Sequence, residues 1–203
     1  MTGVSKAGTK GVPRAQREQQ ILDVAADEIG RAGYAGLSLA EVADRAGVSK
    51  PLVYAYFETK DGLYVACVQR ASALLDRAVE QVITGPADVA MARRTLSAIF
   101  TVLEPRPHDW NVLFDHSHPA QGPAADAAHG ARRRIAEQAA RGVSAVFEAT
   151  GLTDPADLSA LIEVWMGIVT SLVGWWLRNP EQSAQAMSAR SQRIFDAFLT
   201  SSR

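Results

Sequence analysis

The chain has 203 residues, a net charge of −1 and an apolar fraction of 47%, enough for a buried core and a second folding unit but without bulk attraction for a polyanion. No run reaches the ~20 uninterrupted apolar residues of a membrane span, and the polar, basic N-terminus has no apolar h-region to make a signal peptide. A single cysteine, Cys67, excludes an internal disulfide framework, and together these features predict a protein of the reducing cytoplasm with no membrane partner.

Residues 1–16 read as a basic flexible arm, in which Lys6, Lys10 and Arg14 lie among Gly, Ser and Thr, with Arg17 just beyond. Such an arm either contacts phosphates or stays solvated. A first helix is expected over 15–31, with Ile21, Leu22, Ala25 and Ile29 as its apolar stripe and Gly30 and Gly33 at its end.

The rest of the chain is organised around the stretch 37–63. Ser38 and Glu41 have the spacing of a capping box, so a helix begins at Leu39 and turns Leu39, Val42, Ala43 and Ala46 inward. Gly47 suits the left-handed residue that stops it, and Val48 fills the corner. Ser49 is a second N-cap, with Pro51 in the first turn of a helix over 50–57. Val53 and Phe57 point inward there, which leaves Lys50, Pro51, Leu52, Tyr54, Ala55 and Tyr56 on the other sides. Helix, glycine corner, short helix with an exposed polar-aromatic face is the layout of a helix-turn-helix. Thr59 then caps a long helix over 60–83, stopped by Thr84-Gly85-Pro86. Cys67, in the apolar run of that helix, is either a buried small hydrophobe or a redox-sensitive thiol.

The run from Ala43 to Phe57, with Lys60 and Leu63 after it and Gly33-Tyr34-Ala35-Gly36-Leu37-Ser38 before it, resembles the DNA-binding signature of TetR-family transcriptional regulators. The resemblance covers residues 17–64; Ala55 stands where an aromatic residue is frequent. It implies an all-α fold of about nine helices, with a three-helix DNA-binding head over 17–63 and an effector-binding and dimerisation body over 64–203. It also implies that Ser38 and Lys60 hold the DNA backbone, helped by Tyr54 and Tyr56, while Ser49, Lys50, Pro51 and Leu52 bring the second helix to base edges. For Tyr54 a second reading, a packed aromatic that supports the helix, stays open.

Beyond the head, a helix over 87–103 carries Val89, Leu96, Ile99, Phe100 and Leu103 inward, and Pro105 and Pro107 break it. Residues 108–114 read as a short helix and 119–123 as a loop. His116, Ser117 and His118 beside Asp115 raise a metal or Ser/His/Asp site, but histidines two apart share no helix face, and no ligand-spaced cluster, GxSxG or phosphate-cradling loop accompanies them. No catalytic residue, metal or cofactor is therefore assigned. A helix over 124–150 holds Arg132-Arg133-Arg134 and Arg141, either a solvated face or a surface for an acidic partner.

A helix over 156–179 is apolar nearly all round and has to be covered on more than one side. Ala160, Gly167, Ser171 and Gly174 give it a narrow stripe for close approach. Pro180 ends it, and a last helix over 181–200 offers Met187, Ile194, Phe195, Phe198 and Leu199. Two such hairpins make a four-helix bundle, and the resemblance implies a homodimer through these two helices on a palindromic double-stranded operator. It also places a small-molecule effector pocket among helices five to eight, with Phe100, Trp110, Phe114, Trp165 and Trp175 as walls or, equally, as core or dimer-seam residues. The expected function is non-enzymatic: a repressor released by a small apolar or amphipathic molecule. An effector-independent helix-turn-helix protein and an activator are the alternatives.

Overall fold

The structure, a computed structural model, describes residues 13–88, 90–148 and 150–200. Lys6, Lys10 and Val89, and the side chains of Phe198 and Leu199, lie outside the described residues. Within them the chain forms nine α-helices and no strand: α1 (Arg14–Gly36), α2 (Leu39–Arg45), α3 (Lys50–Phe57), α4 (Lys60–Ile83), α5 (Ala90–Leu103), α6 (His108–Leu113), α7 (Pro123–Glu148), α8 (Pro155–Leu177) and α9 (Ala184–Thr200).

Ile21, Leu22, Ala25 and Ile29 of α1, Leu39, Val42 and Ala43 of α2, and Val53 and Phe57 of α3 are all buried in one apolar cluster. The Ser38 hydroxyl accepts the Glu41 N–H at 3.4 Å and so opens α2. Thr59 does the same for α4, accepting from Gly62 at 2.9 Å. Between α3 and α4 the chain reverses at Glu58, which has φ 64° and ψ −50° while Thr59 N–H reaches back to Phe57 O at 2.6 Å. This is a γ-turn, a strained conformation for a residue with a side chain, and it sets the angle at which α3 leaves α4. Gly62 permits the tightness, since a Cβ there would overlap the Phe57 carbonyl oxygen.

α1 runs five residues beyond its expected end because the chain kinks at Gly33 (φ 67°, ψ −178°) and continues helically. That backbone is open essentially to glycine alone. A Cβ at Gly33 would also overlap Ser117 Oγ. The α6–α7 loop is pressed on this kink, with Tyr34 N–H donating to Asp115 Oδ2 at 3.0 Å and Ala35 N–H to Ser117 Oγ at 3.1 Å. The two side chains that raised a Ser/His/Asp site therefore clamp the end of α1. Asn111 adds a bond to Gly30 O at 3.1 Å.

α4 is the spine of the molecule, burying Leu63, Tyr64, Cys67, Val68, Ala71, Leu75 and Val79. The Cys67 thiol is fully enclosed, and burial pushes its pKa up to about 12, so it sits as a small hydrophobe. Arg70 ties three helices together, reaching Asp23 at 2.6 Å, Leu22 O at 3.3 Å and Asp109 at 3.4 Å. Arg133, Arg134 and Arg141 of α7 are solvent-exposed, as a solvated face would be, yet most of the helix's arginines also hold neighbouring elements. Arg134 bonds Asp76 and Ser72, Arg141 bonds Glu80, and Arg132 bonds the carbonyls of Leu113 and Asp115; only Arg133 stays on its own helix, beside Glu137.

Helix ends in the body also differ from the sequence reading. α5 begins at Ala90 instead of 87, after a turn in which Met91 N–H bonds Asp88 O. α8 starts at Pro155, capped by Asp154, and stops at Leu177, and α9 begins at Ala184. Residues 178–183 form the intervening turn, closed by Trp176 Nε1–H on Gln182 O at 2.7 Å. The cover expected around α8 is also missing within one chain: Val169, Val173 and Trp176 are its only buried residues, and Val164 is 58% exposed. With mean hydropathy 1.6 over 18 residues, α8 is the one helix among the described residues long and apolar enough to cross a membrane. A count of uninterrupted apolar residues misses it, because Glu163 lies inside the run.

Candidate DNA-binding face and effector cavity

α3 presents Ser49, Lys50, Pro51 and Tyr54 to solvent, with Leu52 and Tyr56 half-buried beside them. This follows from the sequence: Val53 and Phe57 anchor one side of two helical turns, so residues 50, 51 and 54 must face away. Ser49 occupies the N-cap position but makes no side-chain cap bond, which leaves its hydroxyl available. Lys50 Nζ stands 5.9 Å from the Tyr54 ring. Tyr54, 43% exposed, is not the packed aromatic of the alternative reading. Tyr56 comes closer to that role: its hydroxyl donates to Arg14 O at 3.5 Å and its ring lies 5.0 Å from the Arg14 guanidinium. That contact joins the basic segment to α3, which spacing alone did not indicate. Arg17, the other cation there, is buried at 5% exposure.

Lys60 and Ser38 lie on either side of the turn that follows α1. Lys60 Nζ donates to Ala35 O at 3.2 Å and sits 4.5 Å over the Tyr34 ring. Burial and a hydrogen bond to Asp61 push the Tyr34 hydroxyl up to about 12. Ser38 N–H bonds Glu28 Oε1 at 3.3 Å, and Glu28 and Asp27 take Arg45 of α2. For Asp27, burial raises the carboxyl, but the hydrogen bond from Arg45 and the charges of Arg31, His108 and Arg45 outweigh it and hold it below the usual range.

In the body a cavity of about 260 Å³ opens between α4, α5, α7 and α8. Val79 and Ile83 form one wall, Met91, Ala92 and Thr95 a second, Ala139, Gly142, Val143, Val146 and Phe147 a third, and Leu161, Val164, Trp165 and Ile168 a fourth, with Phe195 of α9 at the edge. Polar groups are few: Asp88 and Arg93 at the α5 end, and Gln138, whose amide is spent on Asp76 O and Glu80. A large apolar recess with sparse polar groups suits an aliphatic or amphipathic molecule.

Of the five aromatic candidates only Trp165 lines this cavity. Phe100 is fully buried edge-on to Trp176, Trp110 and Phe114 stack on each other at 4.4 Å, and Trp175 lies under the Arg190 guanidinium. Those four serve the core. The walls come instead from aliphatic residues, and the legible signal for them was the run Val143, Val146, Phe147 beside Gly142 at helical spacing on α7. Among the described residues no cluster of three metal-ligating side chains occurs.

The family model for bacterial regulatory proteins of the tetR family matches residues 21–67, the three helices of the head and the start of α4. The HTH-type transcriptional activator FasR of Mycolicibacterium smegmatis is 28% identical over 181 residues, covering 87% of this chain and 79% of that protein. Among solved structures, a TetR-like transcriptional regulator from Rhodococcus sp. RHA1 superposes with a TM-score of 0.69 at 24% identity, covering 88% of this chain and 93% of that one. FadR from Bacillus subtilis, solved in complex with stearoyl-CoA, has a TM-score of 0.64 at 17% identity, covering 88% and 95%. AibR, solved in complex with isovaleryl coenzyme A and operator DNA, has a TM-score of 0.68 at 19% identity, covering 86% and 95%.

Proposed function

Because the chain is a TetR-family transcriptional regulator, we propose that it is a homodimeric repressor that binds a palindromic operator and leaves it when a small apolar or amphipathic molecule fills the body cavity. In this reading residues 17–63 are the DNA-binding head and 64–203 the effector-binding and dimerisation body. Ser38, Tyr54, Tyr56 and Lys60 hold the DNA backbone, while Ser49, Lys50, Pro51 and Leu52 meet base edges. The two copies cover each other's α8 and α9, the apolar surface that one chain leaves open. The protein works in the cytoplasm, and it needs neither a cofactor nor a membrane.

The observation that carries the reading is α4. Its first residue, Lys60, belongs to the head, and Val79 and Ile83 near its far end are cavity wall. At 24 residues it is about 36 Å long. A ligand that displaces Val79 and Ile83 tilts a rigid lever whose other end sets the head, and two heads at the wrong separation fail on one operator. The ligand needs a preference of about 1–3 kcal/mol for the tilted state to act as a switch. Isovaleryl and stearoyl thioesters bound by AibR and FadR support an acyl compound as the effector.

The test is selection of bound duplexes from a random pool at fixed salt, followed by competition with acyl compounds. A recovered palindrome that is released by ligand supports the proposal. A palindrome indifferent to every ligand points to an effector-independent DNA-binding protein, and recovery of no motif overturns the reading. The FasR relative favours activation as a second reading. A reporter behind the selected operator decides: its output rises on loss of a repressor and falls on loss of an activator.

Residue roles separate in the same assay. Lys60→Ala weakens binding to every sequence and flattens the salt dependence by roughly 0.9 per head. Lys50→Ala changes the preferred base at particular positions by about 1–3 kcal/mol of discrimination.

A further inference from the structure

Among the described residues that line the body cavity, Arg93 is the only cation. It lies at the mouth beside Asp88, with its side chain 35% exposed. Asp88 is already engaged by Arg94 at 3.0 Å, while Arg93 holds Asp196 of α9 at 3.1 Å. Asp196 is itself half in solvent, at 52% exposure. The lining thus offers one guanidinium, that of Arg93, whose carboxylate partner is an exposed residue on another helix, next to an almost wholly apolar recess.

We propose that Arg93 is the anchor for the anionic end of an aliphatic ligand, and that Asp196 is the internal competitor that the ligand displaces. This rests on the cavity being the effector site. The recess sets the length of the chain: a dry cavity of about 150 Å³ takes benzene, six carbons, so 260 Å³ takes roughly ten. A carboxylate or phosphate that replaces Asp196 keeps the guanidinium paired while the chain fills apolar space, so neither group is buried without a partner. It also removes an ion pair that ties α5 to α9. Seating the ligand therefore changes the restraint on α9, one of the helices proposed to meet the second copy.

The anion has two sources, a free medium-chain acid or the phosphates of an acyl thioester. The experiment measures calorimetric binding of decanoate, decanoyl-CoA and the neutral decanol to the purified full chain and to Arg93→Gln and Asp196→Asn. The wild type binds at least one anion more tightly than decanol, by about tenfold for a charge-assisted hydrogen bond. Arg93→Gln abolishes that preference and leaves decanol affinity unchanged. Asp196→Asn acts in the opposite direction and strengthens the anion several-fold, a gain that a misfolded variant does not give. Preference for decanoate identifies a free acid, and preference for decanoyl-CoA alone a thioester of a phosphorylated carrier. If decanol binds as tightly as both anions, or the anion preference survives in Arg93→Gln, or Asp196→Asn does not strengthen it, the anchor is refuted while the cavity stands. If none of the three probes binds, or Val143→Trp fails to block those that do, the cavity reading falls and the anchor with it.

Discussion

α3 and α8 both leave large side chains in solvent, and they do so in opposite chemical styles. The outer side of α3 carries a lysine, a proline and a tyrosine, with a free serine hydroxyl at its start and Arg14 against Tyr56. The lysine and the tyrosines there end their apolar bodies in polar tips, which suits a wet, charged partner whose phosphates and base edges need hydrogen bonds. The outer side of α8 carries Val164, Gly167, Thr170, Ser171 and half-buried Leu172, with Glu163 the one exposed charge beyond its first turn. A surface of that kind gains by being dried, and small residues let a second helix come close. The difference explains how a chain of net charge −1 can still be built for a polyanion. Its partners are sorted by local surface, and bulk charge decides little.

The largest effect expected of this contrast comes from spoiling α8. Val164→Glu leaves the monomer folded, since Val164 is exposed in it, but puts charge into the proposed dimer seam. Light scattering then reports a monomer, and operator affinity falls on the order of a hundredfold as the second head is lost. A dimer that persists with full affinity would place the seam elsewhere.

Next comes the clamp between head and body. Gly33→Ala forces a Cβ into a glycine-only backbone conformation and onto Ser117 Oγ, and costs about 1–3 kcal/mol from the backbone alone. Chemical denaturation measures the loss. An unchanged midpoint would mean that the α6–α7 loop does not bear on α1 in solution.

The N-caps give a finer test within the head. Thr59→Ala removes a cap bond to Gly62 and costs about 1 kcal/mol of stability. Ser49→Ala removes no such bond and leaves stability unchanged while weakening DNA binding. Equal destabilisation by the two would show that Ser49 caps α3 after all.

The smallest effect is acid loosening of the same clamp. Burial raises the Asp115 carboxyl, but the hydrogen bonds from Ser117 and from Tyr34 N–H outweigh it, and its pKa lies below the ordinary 3.8. A carboxylate depressed in the folded state adds stability at neutral pH, and that contribution is lost as pH falls below the ordinary value and through the depressed one. Amide exchange at Tyr34, corrected for its intrinsic rate, should therefore quicken below about pH 4, the unfolded carboxylate range. Protection that stays constant to about pH 2 would contradict the assignment.

The head was legible because its signals are local. A capping serine, a threonine, a glycine corner and a proline in the first turn each act within four residues, so α2, α3 and α4 begin where Ser38, Ser49 and Thr59 stand. The candidate α3 residues came together for the same reason, since one helix carries most of them. The cavity was not legible, because its walls come from five helices and its lining is aliphatic, indistinguishable in sequence from ordinary core. Phe100 and Trp110 looked like pocket walls by residue type, yet both are buried in the core with aromatic partners.

By itself, then, the amino-acid order determined the helices, the caps at Ser38 and Thr59 and the outward residues of α3, all consequences of steric and hydrogen-bonding rules that span a turn or two. Only the tertiary structure decided that Gly33 is clamped by Asp115 and Ser117, that the α7 arginines bind α4, and that Arg93 guards an apolar cavity opposite Asp196. These depend on which faces meet across separations of roughly 60 to 100 residues, and the packing that brings them together has no short-range signature.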